Sequence, residues 1–413
     1  MRTTYFAMGV LVLGLAGLWY VGGGSTPPSL LARDGLDVAP PVSHANLTVF
    51  FLHGADQVDD QRVMTLQEAL ENGWAVIHET GTVSELAVEN LMETHDLFLQ
   101  SGDIIKGGRQ DRMIASDMLV PAGSGKLPLP SHCVEQGRWA GRGNEKATHF
   151  SKSDNIAVGN ALKIANLSRN QSEVWRNISV NQMALASNVG TQVAAVASPT
   201  SLQLSLENEA VQRSAGDYEH ALRRSGEDAK GIVGVVFVIN GQVTNAEVYG
   251  SNGLFKRVWP RLLKSASIEA VATKPTVANE KRVLTTDDVE AFLLAANRKE
   301  AFVQASGRAG RQNERLVLSG LNHAENVAVS LTNEDLSLDS ELQPGLIVEL
   351  IEEPIRPRSL EKVTLQGNAG TLEPSPAPGL TSVAQIDNHY TLQTETRVPG
   401  KGNAVLHRSI LKK

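Results

Sequence analysis

One hairpin constrains the fold of this chain more than any other stretch of its sequence. Residues 232–239 form a continuous apolar run, IVGVVFVI, and residues 243–249 form a second strand-like run. The pair Asn240-Gly241 between the two runs favours a type I′ turn, because both residue types tolerate positive φ. Since the first run is apolar at every position rather than at alternate ones, we expect a central strand that is buried on both faces.

The elements around this hairpin predict an α+β fold. Helical patterns lie mainly between residues 159 and 297, and Thr65 with Glu68 forms a capping-box pattern for one earlier helix. Short β-branched and aromatic runs precede and follow the helices. We therefore predict an antiparallel, β-rich N-terminal unit over residues 46–139, central helices with the β-hairpin, and a β-rich C-terminal part over residues 301–413.

The N-terminus carries a hydrophobic leader. Arg2 is followed by an apolar run from Tyr5 to Val21 and then by small residues, so residues 1–24 are either a signal peptide or a single-pass anchor. Both alternatives predict a protein of the cell envelope, membrane-anchored or secreted to the periplasm or beyond. Residues 25–45, rich in glycine and proline, are interpreted as a flexible linker, and residues 46–413 as one large domain.

Composition excludes several function classes. The formal net charge of −7 and an aromatic content of 5% argue against nucleic acid as a partner. A single cysteine excludes intrachain disulfides and thiolate-cluster metal sites, and the ten histidines lack zinc-binding spacing, so we expect no metal. The glycine-rich stretch near residue 107 has no G-K-[ST] ending and therefore is not a phosphate loop. We expect no cofactor.

Residues 96–139 concentrate the candidate chemistry. Polar side chains stand there among short strands and glycine turns, which is typical of a site at a sheet edge. Four of them suit an anionic ligand or a protein partner: Lys106, Gln110, Arg112 and Arg138. Two carboxylates, Asp103 and Glu135, form a candidate catalytic pair for water activation. We favour a binding domain over a hydrolase-like enzyme, because no complete catalytic constellation is present.

Structural explanations compete with each of these roles. Asp103 and Glu135 can simply pair with arginines, since structural ion pairs outnumber catalytic ones. Cys133 is predicted to be a buried, inert thiol, with its neighbour His132 on the opposite face of the strand. The tryptophans are interpreted as core anchors rather than as a ligand cage: Trp139, Trp175 and Trp259.

Several blocks together resemble a known bacterial family. They are the segment from Gly102 to Arg112 (GDIIKGGRQDR), the turn Leu119–Gly123 (LVPAG), the segment Ser131–Trp139 (SHCVEQGRW), residues 171–175, and residues 250–270 with their Leu-Phe and Trp-Pro pairs. These blocks look like the core of the ARG- and rhodanese-phosphatase-superfamily-associated protein domain. The resemblance is strongest over residues 46–275, and the segment 405–408 (VLHR) matches the end of the domain.

The resemblance implies a fold family and no particular reaction. The family takes its name from bacterial gene neighbours, ADP-ribosylglycohydrolase and rhodanese-phosphatase proteins of presumed conflict or signalling systems. The hydrolase alternative is accordingly linked to ADP-ribose or phosphate signalling. Three positions depart from the expected pattern: Asp111 stands where an amide is expected, Arg109 where lysine is expected, and Ser101 where an acid is expected.

Overall fold

A computed structural model describes most of the chain between residues 35 and 412. The described residues are 35–143, 145, 147–228, 230–275, 283–298, 301–305, 316–322, 325–331, 382–387, 391–398 and 404–412. The predicted leader and residues 332–381 of the predicted β-rich C-terminal part lie outside them. Among the helices within these ranges, none has the length and apolar character needed to cross a membrane.

The described residues contain seven α-helices and twenty strands, which confirms the α+β class. The helices are α1 (Leu66–Asn72), α2 (Asn160–Leu167), α3 (Gln171–Val189), α4 (Leu202–Leu206), α5 (Glu209–Glu227), α6 (Asn252–Ala272) and α7 (Thr286–Arg298). The first twelve strands are β1 (Asp37–Val38), β2 (Val42–His44), β3 (Leu47–His53), β4 (Val63–Thr65), β5 (Ala75–Thr82), β6 (Glu85–Asn90), β7 (Asp96–Leu99), β8 (Asp103–Gly107), β9 (Arg112–Ile114), β10 (Met118–Val120), β11 (Leu127–Cys133) and β12 (Phe150–Ile156). The remaining strands are β13 (Ile232–Ile239), β14 (Gln242–Tyr249), β15 (Ala301–Ala305), β16 (Leu316–Asn322), β17 (Glu325–Leu331), β18 (Ser382–Asp387), β19 (Thr391–Arg397) and β20 (Val405–Lys412).

The predicted hairpin lies inside the largest sheet. Its eleven strands follow the order β1-β3-β13-β14-β20-β19-β18-β15-β16-β17, with β2 also paired to β3. Asn240 and Gly241 have φ values of 54° and 75°, as a type I′ turn requires. Every residue of β13 is buried. The prediction of a central strand with two buried faces is confirmed.

The two faces of β13 contribute to different hydrophobic cores. Val235 and Phe237 belong to the larger core, where Phe237 stacks on Trp259 of α6 at a ring-centroid distance of 6.2 Å. Val236 and Val238 belong to a second core that includes α7. Helices α3, α5 and α6 cover the first face of the sheet and α7 covers the other. This layering explains why the strand can be apolar at every position.

The N-terminal unit contains two smaller sheets around a third core. A six-stranded sheet has the order β12-β8-β9-β11-β6-β5, and a three-stranded sheet has the order β10-β7-β4. The capping box at α1 is confirmed, since Thr65 and Glu68 exchange backbone and side-chain hydrogen bonds. The unit is not wholly antiparallel, because β4 and β7 pair in parallel. Helix α1 directly follows β4 and opens the connection that such a parallel pair requires.

The end of the predicted linker belongs to the fold. Strands β1 and β2 both pair with β3, and Leu36 is buried in the second core. Pro40 and Pro41 lie between the two strands and outside both, so their missing N–H groups remove no hydrogen bond from either strand pairing. Residues 37–44 were therefore assigned wrongly to the linker, because the proline pair dominated the sequence signal over two very short strands.

Candidate functional site

Two of the predicted site residues connect the six-stranded sheet to neighbouring helices. Asp103 at the start of β8 is buried, accepts a hydrogen bond from the Gln100 amide at 3.0 Å, and forms an ion pair with buried Arg261 of α6. Lys106, further along β8, pairs with Glu207 just after α4, with Nζ 2.6 Å from Oε1. Each charge thus has a partner within the fold, and the Asp103 pair is one whose disruption would leave a buried charge uncompensated.

Arg112 on β9 is fully buried and held from three directions. Its guanidinium donates to the Val83 carbonyl, contacts the Cys133 sulfur at 2.9 Å, and lies 3.5 Å from the Glu79 carboxylate. Burial raises the pKa of Cys133 to about 11, although the charge of Arg112 acts in the opposite direction. The prediction of a buried cysteine is confirmed, and its thiol is neutral at physiological pH.

Gln110, Glu135 and Arg138 do converge, on a buried ion cluster. We call this cluster the arginine clasp, and its members are Asp111, Glu135, Arg138, Arg142 and Glu145. Gln110 donates to the Glu135 carbonyl at 2.8 Å and thereby fixes the backbone beside the cluster. Of the five members only Glu135 and Arg138 are predicted site residues, because the other three resemble ordinary polar loop residues in the sequence.

The clasp joins strand ends to the loop that follows β11. Arg138 Nε lies 2.6 Å from Glu135 Oε2, and Arg142 Nη1 lies 3.0 Å from Asp111 Oδ2 and 3.3 Å from Glu135 Oε1. Asp111 also accepts from the Gly107 amide at 2.9 Å. Burial raises the pKa of Asp111 above its usual value, while the Gly107 amide and Arg142 favour its ionised form. Two loop arginines therefore compensate two fully buried carboxylates.

The six predicted residues do not line one cavity. Asp103 and Glu135 bind different arginines from different elements, so the structure does not bring the proposed catalytic pair together. Their catalytic roles remain predictions. Among the ligand-binding residues, Gln110 and Arg138 meet at the clasp, whereas Lys106 and Arg112 have separate partners. The six residues lie on or beside the same six-stranded sheet, as their proximity in the sequence predicted, but their side chains point towards different partners.

A second polar cluster surrounds a small pocket beside β20. We call it the histidine pocket, and the residues that define it are Gln100, Asp117, Lys163, Glu247, Thr394 and His407. They come from the turns after β7 and before β10, from α2, and from β14, β19 and β20. The space amounts to about 340 Å³ only when the open mouth is counted, and the interior itself offers about 20 Å³, which is room for a water-sized group.

His407 lies at the centre of this pocket between two carboxylates. Its Nδ1 is 2.6 Å from Asp117 Oδ2 and its Nε2 is 3.1 Å from Glu247 Oε2. Lys163 Nζ lies 3.3 Å from the other Glu247 oxygen. The imidazole ring stacks on Tyr249 at a centroid distance of 4.6 Å. All four polar side chains are largely withdrawn from water, so they form one continuous network of alternating charge.

The network keeps His407 protonated. Burial disfavours the imidazolium, but the carboxylates of Asp117 and Glu247 outweigh it and raise the pKa of His407 to about 10. Burial would likewise raise the pKa of Glu247, but Lys163 and His407 lower it to about 2. At neutral pH His407 is therefore a cation with both N–H groups occupied, and Glu247 is an anion.

Two side chains that line the pocket carry donors with no hydrogen-bond partner within the described residues. Gln100 uses its carbonyl oxygen to accept from Tyr249 at 3.0 Å, while its NH₂ group donates no hydrogen bond there. The Thr394 hydroxyl is likewise unbonded within those ranges. Both side chains are at least nine-tenths buried. Because both residues line the pocket, their donors can meet water or the acceptor of a ligand there.

The sequence contained one weak signal for this pocket. The segment Val405–Arg408 (VLHR) was expected to resemble the end of the suspected family, a prediction that stays untested, and no reasoning from residue type connected His407 to a site. His407 lies 290 positions after Asp117 and 160 after Glu247, so only the strand order of the sheet brings them together. Within the described ranges no group of histidine, cysteine and acidic side chains is arranged to hold a metal ion.

The predicted tryptophan anchors divide between core and surface. Trp259 is fully buried and Trp175 packs partly buried against the larger core. Trp139 is 43% exposed, so its assignment to the core was wrong. It lies on the loop that carries the clasp arginines, where the guanidinium groups of Arg109 and Arg112 approach its ring. The indole therefore lies at the surface beside two cations and not in the core.

Comparison with known proteins identifies the family and adds no closer relative. Residues 35–334 match the family described as ARPP-1, the ARG and Rhodanese-Phosphatase-superfamily-associated Protein domain. No curated protein and no solved structure matches the chain. The match extends across most of the chain and includes the hairpin, the clasp and most of the pocket. The chain therefore belongs to the ARG and rhodanese-phosphatase-superfamily-associated protein domain family, as its sequence blocks predicted.

Proposed function

We propose that this protein binds a small anionic molecule, and that the ligand occupies the histidine pocket. The observation that carries the proposal is the pair of donors that line the pocket without a protein partner in the described residues, the Gln100 amide and the Thr394 hydroxyl. A ligand with carboxylate or phosphate oxygens would accept from both. Lys163 lies on the same lining, and only one described carboxylate, that of Glu247, is within ion-pair distance of its ammonium group.

The distribution of acceptors favours an anion over a cation. Asp117 already accepts from His407, from the Ser101 amide at 2.8 Å and from the Thr396 hydroxyl at 2.9 Å. Glu247 is similarly occupied by His407 and Lys163. The pocket carboxylates therefore have little capacity left for a donor, whereas donor groups remain available. A ligand that brings oxygen acceptors completes the network, and a ligand that brings only donors does not.

Binding without turnover fits this arrangement. A general base needs a free lone pair at the reacting group, but both nitrogens of His407 face carboxylates. The proposal keeps the ligand class that the sequence predicted and moves its location. Lys106, Arg112 and Arg138, the cations first chosen for it, have carboxylate partners within the protein.

The proposal is tested by titrating the full-length protein with inorganic phosphate and with acetate in a calorimeter. The informative variant is Gln100→Glu, because the carboxylate can still accept from Tyr249 but replaces the pocket donor with an anion. We expect binding by the wild-type protein, weakened by about tenfold to a hundredfold in the variant, the value of a charge-assisted hydrogen bond.

The matched control is Gln136→Glu, which adds the same charge at an exposed position outside the pocket. It should bind both probes as the wild-type protein does. Equal weakening in both variants would indicate a general charge effect and would overturn the assignment to this pocket. Failure of phosphate and acetate to bind the wild-type protein at millimolar concentration would overturn the proposed ligand class.

We also propose that the protein acts at the cell envelope. The support is the apolar run from Tyr5 to Val21 behind Arg2, which suits either a cleaved signal or an anchor. Fractionation of a bacterial host that expresses the full chain, beside a variant without residues 2–24, tests this. Export or membrane association of the full chain alone is the expected result, and identical cytosolic recovery of both would contradict it.

A further inference from the structure

An exposed aromatic side chain lies beside two arginines near one end of the six-stranded sheet. Trp139 is 43% exposed, and its ring lies 5.3 Å from the Arg109 guanidinium carbon and 5.8 Å from that of Arg112. Tryptophan is seldom left this accessible on a folded surface without a reason. Because the two guanidinium groups restrict the indole, the side chain of Trp139 loses little conformational entropy when a partner binds to it.

The charges around Trp139 are compensated except at one position. Arg112 pairs with Glu79, and the clasp arginines Arg138 and Arg142 pair with Asp111, Glu135 and Glu145. The partly exposed guanidinium of Arg109 forms no ion pair within the described part of the chain. The nearby carboxylate of Glu79 is buried and accepts from the Arg109 backbone amide instead. A positive group is thus left available beside the indole.

A second exposed apolar side chain is connected to Trp139 through the buried side chain of Arg112. Val83, at the tip of the β5–β6 hairpin, is 45% exposed, and its carbonyl binds the same Arg112 that lies against Trp139. Through Arg112 the hairpin tip is therefore linked to the Trp139 loop. The combination of tryptophan and arginine on a preorganised surface is the composition of energetically important positions at protein interfaces.

We propose that Arg109, Trp139 and Val83 form a docking surface for an acidic segment of a partner protein. A carboxylate of the partner meets the guanidinium of Arg109, and an adjacent apolar side chain covers the indole and Val83. Charge complementarity identifies the partner. The guanidinium of Arg109 is a cation without a carboxylate partner in the described residues, although the chain as a whole carries a formal net charge of −7. This surface is separate from the histidine pocket, and the proposal does not depend on the function proposed for that pocket.

The test uses the full-length protein and a short synthetic peptide of alternating glutamate and leucine, with binding followed by fluorescence anisotropy of a label on the peptide. We expect saturable binding that weakens as salt rises, and a loss of at least about tenfold for Arg109→Gln and for Trp139→Leu. Matched controls are Arg213→Gln and Trp74→Leu, an exposed arginine and a tryptophan of 39% exposure elsewhere. These controls should bind as the wild-type protein does.

Several outcomes would overturn the proposal. Equal loss in the control variants would show that the peptide binds unspecifically, and stronger binding of a lysine and leucine peptide would show that the surface does not select acidic segments. If Arg109→Gln keeps its circular dichroism spectrum and still binds the peptide, the guanidinium of Arg109 is not part of the binding surface. Full competition by inorganic phosphate would assign the surface to a small anion instead of a protein segment.

Discussion

The arginine clasp and the histidine pocket are both ionic networks built by distant parts of the chain, and they differ in what they leave unused. In the clasp, each buried carboxylate faces an arginine, and each arginine faces a carboxylate. In the histidine pocket the charged groups are also paired, but the Gln100 amide and the Thr394 hydroxyl remain without partners in the described residues. Both regions are polar and buried, yet only one has spare donors.

This difference separates structural from functional polarity. A fully paired network stabilises one arrangement of the chain and resists substitution, because removal of one charge leaves another uncompensated. A network with unused donors beside open space can instead donate to the acceptors of a ligand. Charge density alone, which directed the sequence analysis to residues 96–139, does not distinguish the two situations.

The largest effect is expected where the clasp is broken. Arg142→Met removes the cation that spans Asp111 and Glu135. Because two buried carboxylates then share a single arginine, we expect the free energy of unfolding to fall by about 3–5 kcal/mol. Chemical denaturation measures this loss. Phosphate or acetate affinity of the folded variant should not change, since Arg142 is not part of the pocket lining.

A control for this prediction is Arg213→Met, which removes an exposed arginine from an i,i+4 pair on α5. It should leave stability almost unchanged, as surface ion pairs contribute little. If Arg142→Met were as stable as the wild-type protein but had lost ligand affinity, the clasp would be a binding site and the comparison between the two regions would be reversed.

The histidine pocket, unlike the clasp, should give the free energy of unfolding a pH dependence that comes from a histidine. The pKa of His407 is raised from 6.5 to about 10, so its contribution is complete below pH 6.5 and is lost as pH rises towards 10. The pKa of Glu247 is lowered from 4.5 to about 2, so its contribution is complete above pH 4.5 and is lost as pH falls towards 2. Denaturation curves should therefore show highest stability between about pH 4.5 and 6.5 from these two groups.

The corresponding variant is His407→Gln. Its stability should be lower than that of the wild-type protein at pH 6, and it should lose the decline between pH 7 and pH 10 that His407 causes. A wild-type protein whose stability is flat over that interval, or a variant that keeps the same decline, would contradict the buried imidazolium. Either result would mean that His407 does not gain its charge from Asp117 and Glu247.

A smaller and sharper contrast comes from two threonines on one strand. Thr394 lines the pocket with an unused hydroxyl, whereas Thr396, two positions along β19, donates to Asp117 at 2.9 Å. Thr394→Val should weaken phosphate or acetate binding by about tenfold with little change in stability. Thr396→Val should lower stability by about 1–2 kcal/mol. Calorimetry and denaturation of both variants test the pair, and exchanged phenotypes would refute the assignment of donors.

The smallest effect is expected at Cys133. Its thiol is buried beside Arg112 and its pKa is raised to about 11, so the reactive thiolate is scarce at pH 8. A thiol reagent such as iodoacetamide should label the folded protein far more slowly than the denatured protein. Rapid labelling of the native protein at pH 8 would instead indicate that the sheet opens around Arg112 or that the thiolate is stabilised.

The fold was largely predictable where a local pattern determined the local structure. The Asn240-Gly241 turn, the continuous apolar run of β13 and the Thr65–Glu68 capping box are short-range signals, and all three occur as predicted. The parallel pairing of β4 with β7 and the strand character of residues 37–44 were missed. Pairing partners depend on long-range contacts, and very short strands leave no periodicity to read.

The site was less predictable for a related reason. Six residues close in sequence were expected to converge, but neighbouring positions on a strand point to opposite faces, so Lys106 and Asp103 have different surroundings. The pocket, in contrast, gathers Gln100, Glu247 and His407 from three distant segments. Only the order of β14 and β20 in the sheet makes the last two neighbours.

The most direct measurement is the side-chain amide NMR signal of Gln100 during a titration with inorganic phosphate or acetate, with the signal assigned by its disappearance in Gln100→Glu. We expect this signal to shift saturably, with the same dissociation constant that calorimetry gives. If ligand binds while the Gln100 signal stays unmoved, the pocket is not the binding site, and the unused donors in it have no role in recognition.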